Sequence, residues 1–179
     1  MSIHQLSVVY QTDQDRLLLR VRTRDERLFD LWLTRRLMLR LWQPLQNIAS
    51  AVALGAASKG TTVLPEARDM MTQTLRDQAK RSADFSSPFD DQALQRPLGE
   101  HPLLVAAVDL RHEAKGQVVV VLRDAQQRDL SLNLTPDLLY NLLTLLEQAL
   151  VLSEWGLAAP SSSPSPAPQE AAPAPRVLN

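Results

Sequence analysis

The feature of this sequence that most constrains its fold is a strand, cap and helix pattern that occurs twice, 101 residues apart. Residues 16–49 align with residues 117–150 without a gap. Any strand followed by a capped helix shares this leucine spacing, so convergent patterning is one explanation. Hairpin length and cap position agree as well, and we therefore interpret the pattern as an internal duplication. The matched residues are Leu31, Leu33, Thr34, Leu37, Leu41 and Leu45 against Leu132, Leu134, Thr135, Leu138, Leu142 and Leu146.

Alternation of apolar and polar residues predicts three strands in each copy. Period-two spacing is typical of a strand with one buried face. The polar runs 12–15 and 24–26 supply turn residues, so the first three strands are expected to form an antiparallel meander. In the second copy the corresponding apolar segments are 103–110, 118–122 and 128–134. In the first copy the alternating residues are Leu6, Val8 and Tyr10, then Leu17, Leu19 and Val21, then Phe29, Leu31 and Leu33.

A long helix is predicted after each set of strands. Thr34 has the residue type of an N-cap, and Thr135 followed by Pro136 is the same signal in the second copy. The first helix is expected to reach Lys59-Gly60, with a kink or a restart at Pro44, because proline lacks the N–H group and clashes with the preceding turn. A third, weaker helical pattern runs from Pro65 to about Arg81.

The sequence therefore predicts an α+β protein made of two copies of a β-β-β-α unit, each an antiparallel meander plus a long helix. The copies are residues 1–59 and 101–156, joined by a helical and irregular connector at 60–100. Together they form one domain, residues 1–156. The Pro/Ala/Ser-rich segment 157–179 is expected to be a disordered tail, because it has too few apolar residues to form a core.

No catalytic or cofactor motif is found, so we expect a protein that is not an enzyme and has no cofactor or metal. The chain contains no cysteine and only five glycines. Its three histidines, His4, His101 and His112, lack metal-ligand spacing, and His112-Glu113 falls in a predicted turn. Without a signal peptide or an apolar run of about 20 residues, we expect a cytoplasmic protein with no membrane partner.

The outward residues of the first predicted sheet combine positive charge with an aromatic ring. Residues 1–50 carry eight arginines against five acidic residues, whereas the whole chain has a net charge of −1. Arg20, Arg22 and Trp32 share one parity, and Arg35 and Arg36 open the following helix. A basic sheet face with an aromatic ring binds single-stranded nucleic acid in several folds. The alternative is that the middle helix covers Trp32 and the arginines form a solvated rim.

Phe85 and Phe89 are unusual in the polar connector. They are interpreted either as anchors that hold the connector on the body or as contacts for a protein partner. Val119 and Val121 have the outward parity in the second copy, which favours burial against the other unit, the middle helix or a second chain. A homodimer is the expectation from this apolar strip.

Two segments carry a resemblance to a known family. The runs LWLTRRL at residues 31–37 and ADFSSPF at residues 83–89 resemble a family of uncharacterised proteobacterial proteins, over residues 1–156. That resemblance implies no activity. The plan of two β-then-helix copies is also similar to the PUR and Whirly binders of single-stranded nucleic acid, which have four strands per unit where three are predicted here.

These patterns lead us to expect a non-enzymatic interaction or scaffold protein that forms a homodimer and binds an unknown protein partner. The alternative is a single-stranded DNA- or RNA-binding protein that uses the basic and aromatic face of the first sheet. A small-molecule pocket between the two units is a third option.

Overall fold

The computed structural model describes residues 2–57, 65–83, 87–92, 95–113 and 116–157. Both predicted units have the order strand, strand, strand, helix, which confirms the α+β class, and the middle helix lies where it was predicted. Most of the expected tail, residues 158–179, lies outside the described residues. In chain order the elements are β1 Ile3–Gln11, β2 Arg16–Thr23, β3 Leu28–Thr34, α1 Arg35–Ala57, α2 Pro65–Ser82, β4 Leu103–Leu104, β5 Ala107–His112, β6 Val118–Arg123, β7 Asp129–Leu134 and α3 Pro136–Ser153.

The described strands form two sheets, each built on one meander. The first sheet has the order β1-β2-β3-β4, with β4 parallel to β3 and the other pairs antiparallel. The second has the order β5-β6-β7 and is antiparallel throughout. Each meander is followed directly by its helix, so the two units have the same local plan.

The segment predicted as one strand at 103–110 serves both sheets. Leu103 and Leu104 pair with β3, and Val105 N–H donates to the carbonyl of Trp32 at 3.0 Å. Ala106 N–H then donates to the carbonyl of Arg123 at 2.7 Å, and β5 continues along β6. The chain therefore passes from the first sheet to the second between Val105 and Ala106, which corrects the single-strand expectation.

The second hairpin of each unit has the same register and the same turn. Leu17 pairs with Leu33 in the first, and Val118 with Leu134 in the second, which is the predicted offset of 101 at both strands. The turns also agree, since Glu26 and Gln127 both have positive φ, 57° and 65°. This shared geometry supports the two-unit plan, while descent from one duplicated segment remains an interpretation.

Both long helices begin at the predicted threonine caps. The Thr34 hydroxyl accepts from Leu37 N–H at 3.2 Å, and the Thr135 hydroxyl accepts from Leu138 N–H at 3.4 Å. Each hydroxyl satisfies one of the N–H groups that have no partner within the helix. Helix α1 continues through Pro44 as one element and does not restart there.

Each helix packs on the other unit as well as on its own. Helix α1 contacts β3 and also β5, whereas α3 contacts β7 and also β1. One buried apolar cluster draws on the inward faces of both sheets, including Leu17, Leu31, Leu132 and Leu134, each at most 1% exposed. The two units therefore form a pseudo-symmetric pair around a common core, and α2 packs against α1 and α3.

Polar contacts also join the units, one of them at a buried position. The Tyr140 hydroxyl of α3 donates to the carbonyl of Ala49 in α1 at 2.9 Å, and burial raises the pKa of Tyr140 to about 12. The Trp155 indole N–H donates to Asp15 Oδ1 at 2.6 Å, and the Tyr10 hydroxyl donates to the same oxygen at 2.9 Å. These two bonds, the one from Trp155 first, lower the pKa of Asp15. Trp155, which follows α3, is thereby held on the first hairpin.

Among the helices of the described ranges, none is long and apolar enough to cross a membrane.

Candidate interaction face and interunit cleft

An apolar row crosses the outward face of the first sheet. Strand register places Val9 opposite Leu18, Leu18 opposite Trp32, and Trp32 opposite Leu104. Directly opposite residues on neighbouring strands lie on the same face, so these four side chains form one continuous apolar row. Val9 is 37% exposed and Leu104 47% exposed, while Leu18 and Trp32 are half-buried. We call these four residues the apolar row.

Trp32 lies beside strand β4. Its register partner there is Leu104, and its carbonyl accepts the N–H of Val105. Helix α2, the middle helix of the sequence interpretation, packs against α1 and α3 instead. Trp32 therefore keeps part of its ring accessible on the sheet face.

The connector lies across the neighbouring basic residues of the same face. The guanidinium carbon of Arg20 lies 4.5 Å from the centroid of the Phe89 ring, which is cation–π geometry. Arg22 forms an ion pair with the Asp90 carboxylate and donates to the Asp90 carbonyl at 3.2 Å, and only 12% of the Arg22 side chain is exposed. Asp90 N–H also donates to the side chain of Gln5 at 3.1 Å. We call residues 87–92 and 95–98 the strap.

The second part of the strap follows the edge of β3. Gln95 forms two backbone hydrogen bonds here: Leu28 N–H donates to the Gln95 carbonyl at 2.9 Å, and Gln95 N–H donates to the Glu26 carbonyl at 3.4 Å. Arg96 then pairs with Asp30 at 2.7 Å between the guanidinium nitrogen and the carboxylate oxygen. The acidic and basic groups of the outward face are therefore largely paired with the strap. Phe85, the other aromatic residue singled out in the connector, lies outside the described residues.

The two arginines that open α1 face other parts of the molecule. Arg35 is exposed, and its positive charge contributes to the lowered pKa of Asp15. Arg36 is exposed and lines a cleft between the units. The five residues predicted as one nucleic-acid face are thus distributed over the strap contact, the apolar row, the Asp15 region and this cleft.

The cleft is formed where the chain passes between the sheets. It has a volume of about 810 Å³ and is bounded by the start of α1, the segment 98–106 and the turn between β6 and β7. We call it the interunit cleft. The sequence interpretation assigned Arg36 to the outward face of the first sheet and did not predict that these three segments form one cleft. The signal available in the sequence was a pair of arginines four residues apart, Arg36 and Arg40.

Asp124 holds the turn that forms one wall of the interunit cleft. Its carboxylate accepts from Gln126 N–H and Arg128 N–H, both at 2.9 Å, and from Arg128 Nε at 2.8 Å. Burial acts to raise the pKa of Asp124, but the hydrogen bonds from Arg128 and the backbone outweigh it, so the pKa lies below its ordinary value. Asp124 is ionised and fully engaged near neutral pH.

The three histidines lie apart and are exposed. His4 is in β1, His101 lines the interunit cleft and His112 is the last residue of β5, paired with Val118. The predicted turn therefore begins one residue later than expected, at Glu113. Within the described ranges, no three His, Asp or Glu side chains are grouped so that they could hold a metal ion.

Comparison with protein-family models, with curated proteins and with solved structures finds no match to this chain. The resemblances noted in the sequence therefore stay expectations. The function has to be inferred from the apolar row, the strap and the interunit cleft.

Proposed function

We propose that this chain is a non-enzymatic interaction module of the cytoplasm that forms a homodimer through the apolar row. The observation that carries the proposal is the accessible row of Val9, Leu18, Trp32 and Leu104 across four strands. Burying apolar surface contributes about 25 cal/mol per Å². A row with this exposure gains free energy when a second apolar surface covers it.

The charges around the row favour a protein surface over a phosphate backbone. Arg20 and Arg22 already contact Phe89 and Asp90, and Asp30 is paired with Arg96. A phosphate would have to displace the strap to reach either arginine, whereas an apolar partner meets the row without breaking an ion pair.

A second copy of the chain is the partner that fits these charges. A two-fold interface brings the same patch of both subunits together, so the row packs on itself. Arg20 and Asp30 lie directly opposite each other next to the row and both contact the strap, so this pair of opposite charges adds no net charge that would repel a second copy. The net charge of −1 gives little repulsion between copies. Four strands spaced about 4.8 Å apart make a row roughly 15 Å long, so we expect a small interface with micromolar affinity.

Sedimentation velocity over a concentration series from about 1 to 200 µM tests self-association, with micromolar dimers expected in this range. The wild type is expected to shift from monomer to dimer. Val9→Glu and Leu104→Glu place a charge on the row and should each weaken dimerisation at least about tenfold, because an unpaired carboxylate is costly to desolvate.

The matched control is Leu152→Glu, which changes a 71% exposed leucine at the end of α3 in the same way. It should leave the dimer unchanged. A wild type that stays monomeric across the series refutes the homodimer, and an equal effect of all three variants refutes the apolar row as its interface.

Single-stranded nucleic acid is the second candidate, favoured by Trp32 and its neighbour on the same face, Arg16. Arg16 lies next to Leu18 in outward parity and has no ion-pair partner among the residues that the structure describes. An aromatic ring with a free cation can stack a base and hold its phosphate. Release of the strap would add Arg20 and Arg22 to this surface.

Fluorescence anisotropy with a labelled oligonucleotide across a salt series tests this candidate. Affinity should fall with salt by a slope of about −0.7 per phosphate contacted. Trp32→Ala and Arg16→Gln should weaken binding, and Asp90→Ala should strengthen it by freeing Arg22. Binding that is absent at low salt, or that is indifferent to Trp32→Ala, eliminates the nucleic-acid role and leaves the homodimer test unaffected.

A further inference from the structure

We infer that the interunit cleft binds a small organic anion, a carboxylate or a phosphate carried on an apolar body. Its volume of about 810 Å³ lies within the usual range for small-molecule sites, roughly 300–1,000 Å³. Both units contribute walls, so the site exists only in the packed pair. This inference does not depend on the homodimer proposed above.

Two arginines of α1 supply the positive charge. Arg36 and Arg40 both line the cleft and lie four residues apart, on the same face of the helix. Like charges at this spacing repel each other, and neither arginine has an ion-pair partner within the described ranges. A bound anion between them replaces this repulsion with two charge-assisted contacts.

One of the two acidic residues that line the cleft, Asp124, is already engaged. Asp124 accepts three hydrogen bonds from its own turn, two of them from Arg128. Glu100 also lines the cleft, with its exposed carboxylate 3.7 Å from Arg96 Nε. Because Arg128 is paired with Asp124, the lining keeps Arg36 and Arg40 against Glu100, which leaves it with a net positive charge.

The rest of the lining is largely apolar and fits an apolar ligand body. Leu103 and Val105 are buried in the wall formed by the segment that passes from the first sheet to the second, and Leu37 and Leu98, which also line the cleft, are half-buried. A free inorganic anion would leave this surface without a contact. The combination of two arginines with apolar residues in one lining favours an anion attached to an aliphatic or aromatic group.

Isothermal titration calorimetry at constant ionic strength tests the site, with phenyl phosphate, benzoate and inorganic phosphate as probes. We expect saturable binding of phenyl phosphate or benzoate with a Kd below about 1 mM, and binding of inorganic phosphate at least about tenfold weaker. The first two probes differ only in the anionic group, so their order of affinity identifies a phosphate or a carboxylate site.

Arg36→Gln and Arg40→Gln should each weaken the tighter probe at least about tenfold, because each removes one charge-assisted contact. Arg36→Lys should weaken it less than Arg36→Gln, since the charge is kept and only the two-pronged geometry is lost. Arg81→Gln, an exposed arginine at the end of α2, is the matched control and should bind like the wild type. All three positions are exposed in solution, and circular dichroism establishes that each of the four variants is folded.

No saturable binding of either organic probe up to 10 mM, a range about tenfold above the expected Kd, overturns the inference. Equal losses in Arg81→Gln and the α1 variants also overturn it, because they indicate unspecific charge attraction. Leu104 belongs to both the apolar row and the cleft lining, so Val9→Glu separates the two proposals: it should weaken the dimer and leave anion binding intact.

Discussion

The outward faces of the two sheets differ, although their second hairpins have the same register. On the first sheet, Arg20, Arg22 and Asp30 are covered by the strap and leave the apolar row accessible. On the second, half-buried Val119 and Val121 lie opposite exposed Asn133 and Ser131 of the neighbouring strand. Inward positions repeat between the units, whereas outward positions differ in residue type, as at Trp32 and Asn133, or in their contacts, as at Arg22 and Arg123. The repeated positions determine the fold, and the unrepeated ones are where binding is to be sought.

The largest expected effects test the repeated positions. Leu31 and Leu132 are equivalent at the offset of 101 and both are completely buried. Leu31→Ala and Leu132→Ala should each lower the free energy of unfolding by about 2–5 kcal/mol, through lost burial and a residual cavity. Chemical denaturation measures this, with the exposed Leu152→Ala as a control expected within about 0.5 kcal/mol of the wild type. Costs that differ several-fold between Leu31 and Leu132 would break the equivalence.

The next effect tests an outward pair in which the residue type repeats but the contacts do not, Arg22 and Arg123. Arg22 is 12% exposed and pairs with Asp90 of the strap, whereas Arg123 is 35% exposed and pairs with Asp109 of the adjacent strand. Arg22→Ala should cost about 1–2 kcal/mol, and Arg123→Ala less than about 1 kcal/mol. Hydrogen exchange should also show faster exchange at residues 87–92 in Arg22→Ala alone. Unchanged exchange there would mean that Arg22 does not hold the strap.

A pH effect should distinguish the β2–β3 turn from the equivalent β6–β7 turn. At the equivalent positions 23 and 124, the first turn has a threonine, whose hydroxyl accepts Arg27 N–H at 3.2 Å, and the second has an aspartate. Because the pKa of Asp124 is lowered on folding, its ionised form stabilises the fold above the ordinary value near 4, and this contribution is lost as pH falls through the lowered pKa. Thermal unfolding of the wild type and Asp124→Asn should therefore differ at pH 7 and converge toward pH 3.

Asp15 and Asp25 also have lowered pKa values, Asp15 through Trp155 first and Asp25 through Thr23 first. They titrate in both proteins of that comparison, so the difference between wild type and variant isolates Asp124. A difference that stays constant from pH 7 to pH 3 would contradict the prediction.

The smallest expected effects test whether the β2–β3 and β6–β7 turns are equivalent. Glu26 and Gln127 both have left-handed backbone, at φ 57° and 65°, which glycine adopts more easily than other residues. Glu26→Gly and Gln127→Gly should each stabilise the protein by up to about 1 kcal/mol. The preceding residues, Asp25 and Gln126, have negative φ and serve as controls, since glycine there should not stabilise. Differential scanning calorimetry is sensitive enough to compare the four variants.

Local signals made most of the fold predictable. The threonine caps, the alternating leucines and the turn residues act within a few positions of one another, so each unit can be interpreted without knowing the other. The continuity of α1 through Pro44 was not predictable in this way, because packing of the helix on both sheets offsets the lost hydrogen bond.

The candidate sites depend on contacts between distant segments, and sequence alone could not assemble them. Arg22 contacts Asp90, which is 68 residues away in the sequence. Its position in the alternating pattern shows only that its side chain lies on the outward face of the sheet, and does not indicate whether another segment covers that face. The segment 103–110 has one apolar pattern, although its halves serve different sheets. Only the packed units bring Arg36 and Arg40 to the wall that Asp124 holds.

The packing of each long helix on both units has a consequence for synthesis of the protein. Strand β1 is translated before α3, which supplies part of its cover and begins 125 residues after β1 ends, at Pro136. At about 5–20 residues per second, this interval lasts roughly 6–25 seconds. During that time the apolar side of the nascent first unit is open to chaperones or to a second nascent chain. The first unit therefore gains its full cover only after α3 has been translated.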